Sequence, residues 1–320
     1  MTKGLEGEKA LVWLAGMPGV PSLEPAGFAR LRDGAPEFFW DAVAGEADFL
    51  ERLPGARLVL TWRFRREWLG LAPGLRLIST PAAGREWVEA RSRPPLRVWF
   101  GGFHGVFMAE TVAGLMLAFA RGIKASLDCQ ARGESWPRER VTALMRPLRG
   151  GRAVILGFGH IGKWIGRLVK PFGVRLAGVT RKDRSRPEYF TDGDGVYPPE
   201  ELDSLLPAAD HLILALPGDT GSDLILDSRR LALLPPAAFV YNVGRGNAID
   251  EEALADRLRR GLLAGAGLDV FAREPLPPGA AILGAPNVIA LPHVSAFAPG
   301  YLDAYLDEFL GRLAGEEFRD

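Results

Sequence analysis

The 320-residue chain has a single cysteine, Cys129. One thiol excludes a disulfide framework and any metal site built from several cysteines. It reads as a small buried residue on a helix. There is no net charge either, because 39 Lys and Arg balance 39 Asp and Glu. The global basic excess of a dedicated nucleic-acid binder is therefore missing. Long apolar runs are missing too. Val112–Ala120 lies between Glu110 and Arg121, which is too short to span a bilayer. Near the start, Glu6 and Glu8 stand among the lysines, and the apolar stretch Ala10–Ala15 is short. It reads as a first strand, not a signal peptide. Gly and Pro make up about a fifth of the residues, and apolar segments run throughout, so disorder, collagen and coiled coil are excluded. What remains is a soluble globular chain, long enough for about two domains. It is expected in a reduced, cytoplasmic setting, with no membrane or nucleic-acid partner.

Apolar runs divide the chain into two α/β patterns. In the first hundred residues, Ala10–Ala15, Arg57–Thr61, Leu75–Thr80 and Arg97–Phe100 read as strands, with helical stretches between them. Strands alternating with helices predict a parallel sheet. His104–Arg121 follows as a long helix carrying Val112, Leu115, Leu117 and Phe119. A second pattern begins at Arg149-Gly150-Gly151. Its strand candidates are Ala153–Leu156, Val174–Val179, His211–Leu216, Phe239–Asn242, Ala264–Leu268 and Val288–Ala290. These are continuous apolar runs, as expected of strands covered on both faces. Pro299–Leu313 reads as an amphipathic helix, and no internal repeat of fixed period is present.

Gly157-Phe158-Gly159-His160-Ile161-Gly162 follows the first strand of the second pattern and opens a helical run, Ile161–Val169. In a dinucleotide-binding loop the first glycine permits a tight turn. The second lets the backbone approach a pyrophosphate, and the third lets helix and strand pack closely. The helix N-terminus then offers open N–H groups to the phosphates. Such a motif alone is weak, but here a strand precedes it, a helix follows, and a second strand comes on time. At the end of that second strand, an acidic residue would bind the ribose 2′-hydroxyl of NAD. Thr180-Arg181-Lys182 stands there instead, which suits the 2′-phosphate of NADP. Asp183 is close enough to serve NAD if the strand ends later.

A carbonyl or alcohol oxidoreductase needs a group that passes a proton near neutral pH, and histidine is the usual one. The four histidines stand at 104, 160, 211 and 293. His160 belongs to the phosphate loop, and His211 begins a buried strand. His104 opens the long helix, and its role stays open. His293 ends a strand, where ligands of such sheets bind. Arg245, flanked by Gly244 and Gly246, follows another strand, and its planar fork suits a carboxylate. Glu274 follows a third. A cation, a carboxylate and an imidazole at the ends of three successive strands suit a keto acid. The Arg anchors the acid, the His protonates the carbonyl, and the Glu orients the His.

The segments GFGHIGKWIGRLVKPFG, YNVGRGNAIDEEALADRLRRGLLAGAGLDVFAREPLP and LPHVSA resemble the signatures of the D-isomer-specific 2-hydroxyacid dehydrogenases. The resemblance covers roughly Phe107 to Ala296. Ala82–Gly84 and the MAETVAGLMLAFAR helix extend it more weakly. It implies a Rossmann cofactor domain, residues 104–295, inserted in a flavodoxin-like substrate domain, residues 1–103 and 296–320. It implies Arg245 as substrate-carboxylate binder, Glu274 as partner of the histidine, and His293 as acid and base. Backbone N–H groups near Ala83 and Gly84 become a second carboxylate site, and Asp269 lies near the nicotinamide carboxamide. Leu216, Pro217, Ser222, Val243 and Gly244 join the expected cofactor contacts. Homodimers paired through cofactor domains are common in the family. Thr180 in place of an Asp resembles the NADP-using glyoxylate and hydroxypyruvate reductases. Glu274 departs from the Gln expected in a formate dehydrogenase. Arg85 and Trp87 depart from the small apolar residue and Asp frequent in the substrate loop.

The leading expectation is an NADP-preferring reductase of small 2-keto acids such as glyoxylate or hydroxypyruvate. The same chemistry with NAD on a larger keto acid is the alternative. A dinucleotide-sensing corepressor-like scaffold is a further one, which would bind cofactor with negligible turnover.

Overall fold

A computed structural model describes residues 7–17, 19–20, 22–218 and 221–315. Its contacts gather into two units. One runs to His104 and resumes at Phe297, and the other spans Gly105–Ala296.

The first unit is built on five parallel strands: β1 (Glu8–Trp13), β2 (Phe38–Ala42), β3 (Ala56–Thr61), β4 (Leu77–Thr80) and β5 (Arg97–Phe100). Their order is β2-β1-β3-β4-β5, the flavodoxin-like order. Leu11, Val59 and Ile78 are buried without trace of exposure and pack on Phe49 and Trp68. The sequence pattern does not announce β2. As an edge strand it alternates, with Phe38 buried and Phe39 exposed, so no continuous apolar run marks it. The helix Tyr301–Ala314 completes this unit. Its Phe309 packs edge-on against Trp40 and Trp99. The Tyr305 hydroxyl donates to Ser79 Oγ at 2.8 Å, and the Glu308 carboxylate accepts the N–H groups of Gly102 and Phe103. His104 is buried here, 2.7 Å from the Tyr301 hydroxyl, which favours a packing role for it.

The second unit carries seven parallel strands: β6 (Arg152–Leu156), β7 (Arg175–Val179), β8 (Gly195–Tyr197), β9 (His211–Leu214), β10 (Phe239–Asn242), β11 (Gly265–Leu268) and β12 (Val288–Ala290). The order is β12-β11-β10-β9-β6-β7-β8. This is the Rossmann order with one strand added, and it reverses direction at β6, where dinucleotides bind. The helix Gly105–Ala120 covers one face with Val112, Met116 and Phe119. Leu231, Leu254 and Leu258 cover the other. Both faces being covered explains the unbroken apolar strands. Edge strand β8 has three half-buried residues, too few to show a period.

His211 at the start of β9 is buried, 3.1 Å from the Tyr241 hydroxyl. Burial pushes its imidazole down to about 4. Cys129 is also buried. Among the described residues no group of three His, Cys, Asp or Glu could hold a metal. No single helix there is long and apolar enough to cross a membrane.

Candidate active site

The loop after β6 answers each demand of a phosphate cradle. Gly157 takes φ +93°, and a Cβ there would lie 2.6 Å from the Ala215 carbonyl oxygen. Only glycine makes that turn without strain. A Cβ on Gly162 would lie 2.5 Å from the Gly157 oxygen, so the helix His160–Val169 seats on the strand only because Gly162 is bare. Beside Gly159 there is nothing within 4 Å. That is the open side, facing the unsatisfied N–H groups of the helix's first turn. The residues present thus fit a pyrophosphate. His160 is exposed and Ile161 half-buried at this opening. Phe158 differs from the sequence expectation. Its side chain is only 1% exposed and its ring fills the space a Cβ on Gly178 would take, packing on Phe190. Its ring supports the loop from below.

β7 ends at Val179. Thr180 is half-buried, and Arg181 and Lys182 are exposed. The Thr180 hydroxyl accepts the Lys182 N–H at 3.3 Å. Asp183 is engaged elsewhere. Lys163 donates to it at 2.6 Å and the Ser185 N–H at 2.9 Å. These bonds, that of Lys163 first, hold its carboxyl far below the ordinary range.

Further along the sheet, Leu216 is half-buried and Pro217 exposed after β9. Ser222 is 2% exposed and donates to the Pro217 carbonyl at 2.6 Å. It shapes this loop from inside. Val243 and Gly244 are buried, and a Cβ on Gly244 would meet the Leu216 oxygen at 2.5 Å. The loops after β9 and β10 are thus in backbone contact.

Register places the three chemical side chains. Asn242, Leu268 and Ala290 are aligned across β10, β11 and β12. Arg245 and His293 each lie three residues beyond that row, and Asp269 lies one beyond it. The buried Asn242 folds the first loop back. Its Nδ2 donates to the Arg245 carbonyl at 2.9 Å, and its Oδ1 accepts the Gly244 N–H at 3.1 Å. Sequence reasoning passed over Asn242, whose signal is an amide at a strand end just ahead of the Gly-Arg-Gly turn. Arg245 is half-buried in extended backbone.

Glu274 and His293 are joined directly, Oε2 to Nδ1, at 2.7 Å. The other Glu274 oxygen accepts the Phe271 N–H at 2.9 Å, so both ends of the carboxylate are fixed. His293 adopts φ +54°, a left-handed backbone that costs about 1–3 kcal/mol in a non-glycine residue and needs support. Asp269 supplies it. This carboxylate is fully buried. It accepts the N–H groups of Val294 at 2.7 Å and Ser295 at 3.0 Å, while its carbonyl accepts the His293 N–H at 2.9 Å. A buried carboxylate without partners would be very costly. Here its partners are the loop that presents the imidazole. The first unit holds Ala83 and Gly84 in an exposed loop after β4. Among the described residues, neither backbone N–H has a partner.

A family model described as D-isomer specific 2-hydroxyacid dehydrogenase, NAD binding domain, matches residues 113–295. The chain belongs to this dehydrogenase family. Residues 113–295 are its nicotinamide-cofactor domain, and they include the glycine loop, Arg245, Glu274 and His293. A glyoxylate/hydroxypyruvate reductase B of Pectobacterium carotovorum is 33% identical over 189 residues, 59% of this chain and 58% of that one. A D-3-phosphoglycerate dehydrogenase of Methanocaldococcus jannaschii is 34% identical over 191 residues, 60% of this chain and 35% of that one. The chain thus spans little more than half the length of one and about a third of the other. The crystal structure of a D-isomer specific 2-hydroxyacid dehydrogenase family protein of Aeromonas salmonicida is similar over 96% of both chains, with TM-score 0.76 and 28% identity.

Proposed function

We propose that this family member reduces small 2-keto acids, of the glyoxylate and hydroxypyruvate type, to D-2-hydroxy acids with NADPH. The observation that carries the reading is the Glu274–His293 pair at the ends of adjacent strands. Glu274 can only accept a hydrogen bond, so Nδ1 of His293 carries the donated hydrogen. That fixes the tautomer and leaves Nε2 to hold the mobile proton. Arg245 receives the substrate carboxylate through its planar fork. A reduced nicotinamide, when bound, supplies a hydride for the keto carbon. The carbonyl oxygen gains negative charge as this happens, and Nε2 of His293 gives it a proton. The imidazole ends neutral, still held by Glu274. In the first unit, taken by itself, the open N–H groups of Ala83 and Gly84 can donate to a carboxylate.

Preference for NADPH rests on the residues after β7. Arg181 and Lys182 offer cations to a 2′-phosphate. The nearest carboxylate, Asp183, is tied to Lys163 and Ser185. A larger keto acid is the second reading, favoured by the exposed Arg85 and Trp87 beside Ala83 and Gly84. The resemblance of the P. carotovorum reductase supports the smaller substrates. The test is His293→Ala. We expect reductase turnover to be lost while NADPH still binds. An unchanged rate would sink the assignment.

A further inference from the structure

The turn that carries Glu274 is gripped from a second side. Asp250 caps the helix Glu251–Arg259 by accepting the Ala253 N–H at 3.0 Å. The next residue, Glu251, turns its carboxylate to a different loop, where Oε1 accepts the Ala272 N–H. The same peptide also meets Gly246, the residue after Arg245. A Cβ on Gly246 would fall 1.8 Å from the Phe271 carbonyl carbon and 2.3 Å from the Ala272 nitrogen. The Phe271–Ala272 peptide is therefore held by both the Gly246 backbone and the Glu251 carboxylate. Glu274 sits in that turn, accepting the Phe271 N–H and reaching His293.

Glu251 is an uncomfortable anion. Burial first, helped by the charges of Glu252 on its own helix and Glu274 on the facing loop, pushes its carboxyl above the ordinary range, against the opposing pull of the Ala272 N–H. A neutral side chain would make the same backbone hydrogen bond at lower cost. Its charge is what a neutral substitute could not supply.

We infer that Glu251 is a positioning residue for the Glu274–His293 pair, fixing the turn at Ala272 and standing as a second negative charge behind Glu274. The inference deepens the keto-acid reductase reading and rests on it. In reduction His293 gives up a proton, and an additional anion behind Glu274 acts on the charge that this step removes.

The experiment compares wild type, Glu251→Gln and Glu251→Ala. Two properties are read: kcat and KM for glyoxylate with NADPH between about pH 5 and 9, and hydrogen exchange at the Ala272 amide. Glutamine keeps an acceptor for the Ala272 N–H, so Glu251→Gln should retain slow exchange. Burial shifts the Glu251 carboxyl upward, so the kcat of Glu251→Gln should approach that of wild type toward the acid end. It should fall about threefold behind above neutrality, with KM little changed. Glu251→Ala should lose the slow exchange and lower kcat about tenfold across the range. Parallel pH profiles for wild type and Glu251→Gln would overturn the electrostatic role. Slow Ala272 exchange retained in Glu251→Ala would overturn the clamp. If Glu251→Ala does not fold, Glu251→Gln alone decides through its pH profile. A wild type without turnover would instead defeat the reductase reading, and Ala272 exchange would still judge the clamp.

Discussion

Glu274→Gln is the most discriminating single substitution, because it changes one atom and leaves the shape. In the native site one carboxylate oxygen accepts the Phe271 N–H at 2.9 Å and the other accepts from His293 at 2.7 Å. Glutamine offers one acceptor and one donor, so only one of these bonds survives. If the amide oxygen stays with Phe271, the NH2 group faces Nδ1 and forces the tautomer that carries its hydrogen on Nε2. A neutral imidazole in that tautomer cannot deliver the proton without becoming an anion. If the amide flips, its NH2 opposes the Phe271 N–H, which costs about 1–3 kcal/mol. General acid catalysis contributes about 10²–10⁴-fold. kcat should therefore fall by about 10²–10⁴, or about 3–5 kcal/mol of transition-state stabilisation. The dissociation constant for NADPH should not change. Steady-state rates with glyoxylate and hydroxypyruvate, followed by nicotinamide absorbance, measure the first. Fluorescence titration measures the second. A variant within fivefold of wild type would refute the argument that Glu274 sets the tautomer of His293.

Three further outcomes are expected. Asp269→Asn should lower Tm by about 5 °C and lower kcat, because one of the two amides at Val294 and Ser295 then faces a donor; an unchanged melting curve would show that Asp269 does not hold this loop. The double substitution Arg181→Ala with Lys182→Ala should raise KM for NADPH about 10–100-fold and leave KM for NADH nearly unaltered; equal effects on both would remove these residues from 2′-phosphate recognition. His211 is held near 4 by burial against an ordinary 6.5, so the unfolded chain takes up this proton first as pH falls. The stability His211 contributes is complete above about 6.5 and is lost between there and about 4, up to about 3 kcal/mol. Urea titrations of wild type and His211→Phe across that interval should diverge in pH dependence, and parallel curves would contradict this.

Some of the site is legible in the sequence because single residues there meet single demands. Gly157 and Gly162 must be bare, one for its turn and one for helix–strand packing, and the space around each agrees, while Gly159 faces open space. The strands β10, β11 and β12 are short apolar runs with sharp ends, so the residues just past them can be placed at one edge of the sheet. Other parts leave no such mark. Phe158 occupies a variable position of the glycine motif, and only the direction of the turn decides that its ring goes under Gly178. Ser222 is polar yet buried, because its hydroxyl is needed by the Pro217 carbonyl. Asp269 and Glu251 act on backbone N–H groups of distant loops, and a backbone partner has no residue type for a sequence to display. β2 and β8 escape as edge strands, too mixed or too short for a period.

The Glu274–His293 pair and the β6 loop together should perform NADPH-dependent keto-acid reduction. Initial rates with glyoxylate and hydroxypyruvate, each with NADPH and with NADH, test it most directly. Turnover with a clear preference for NADPH is the predicted result. Tight NADPH binding without turnover of either acid would contradict it.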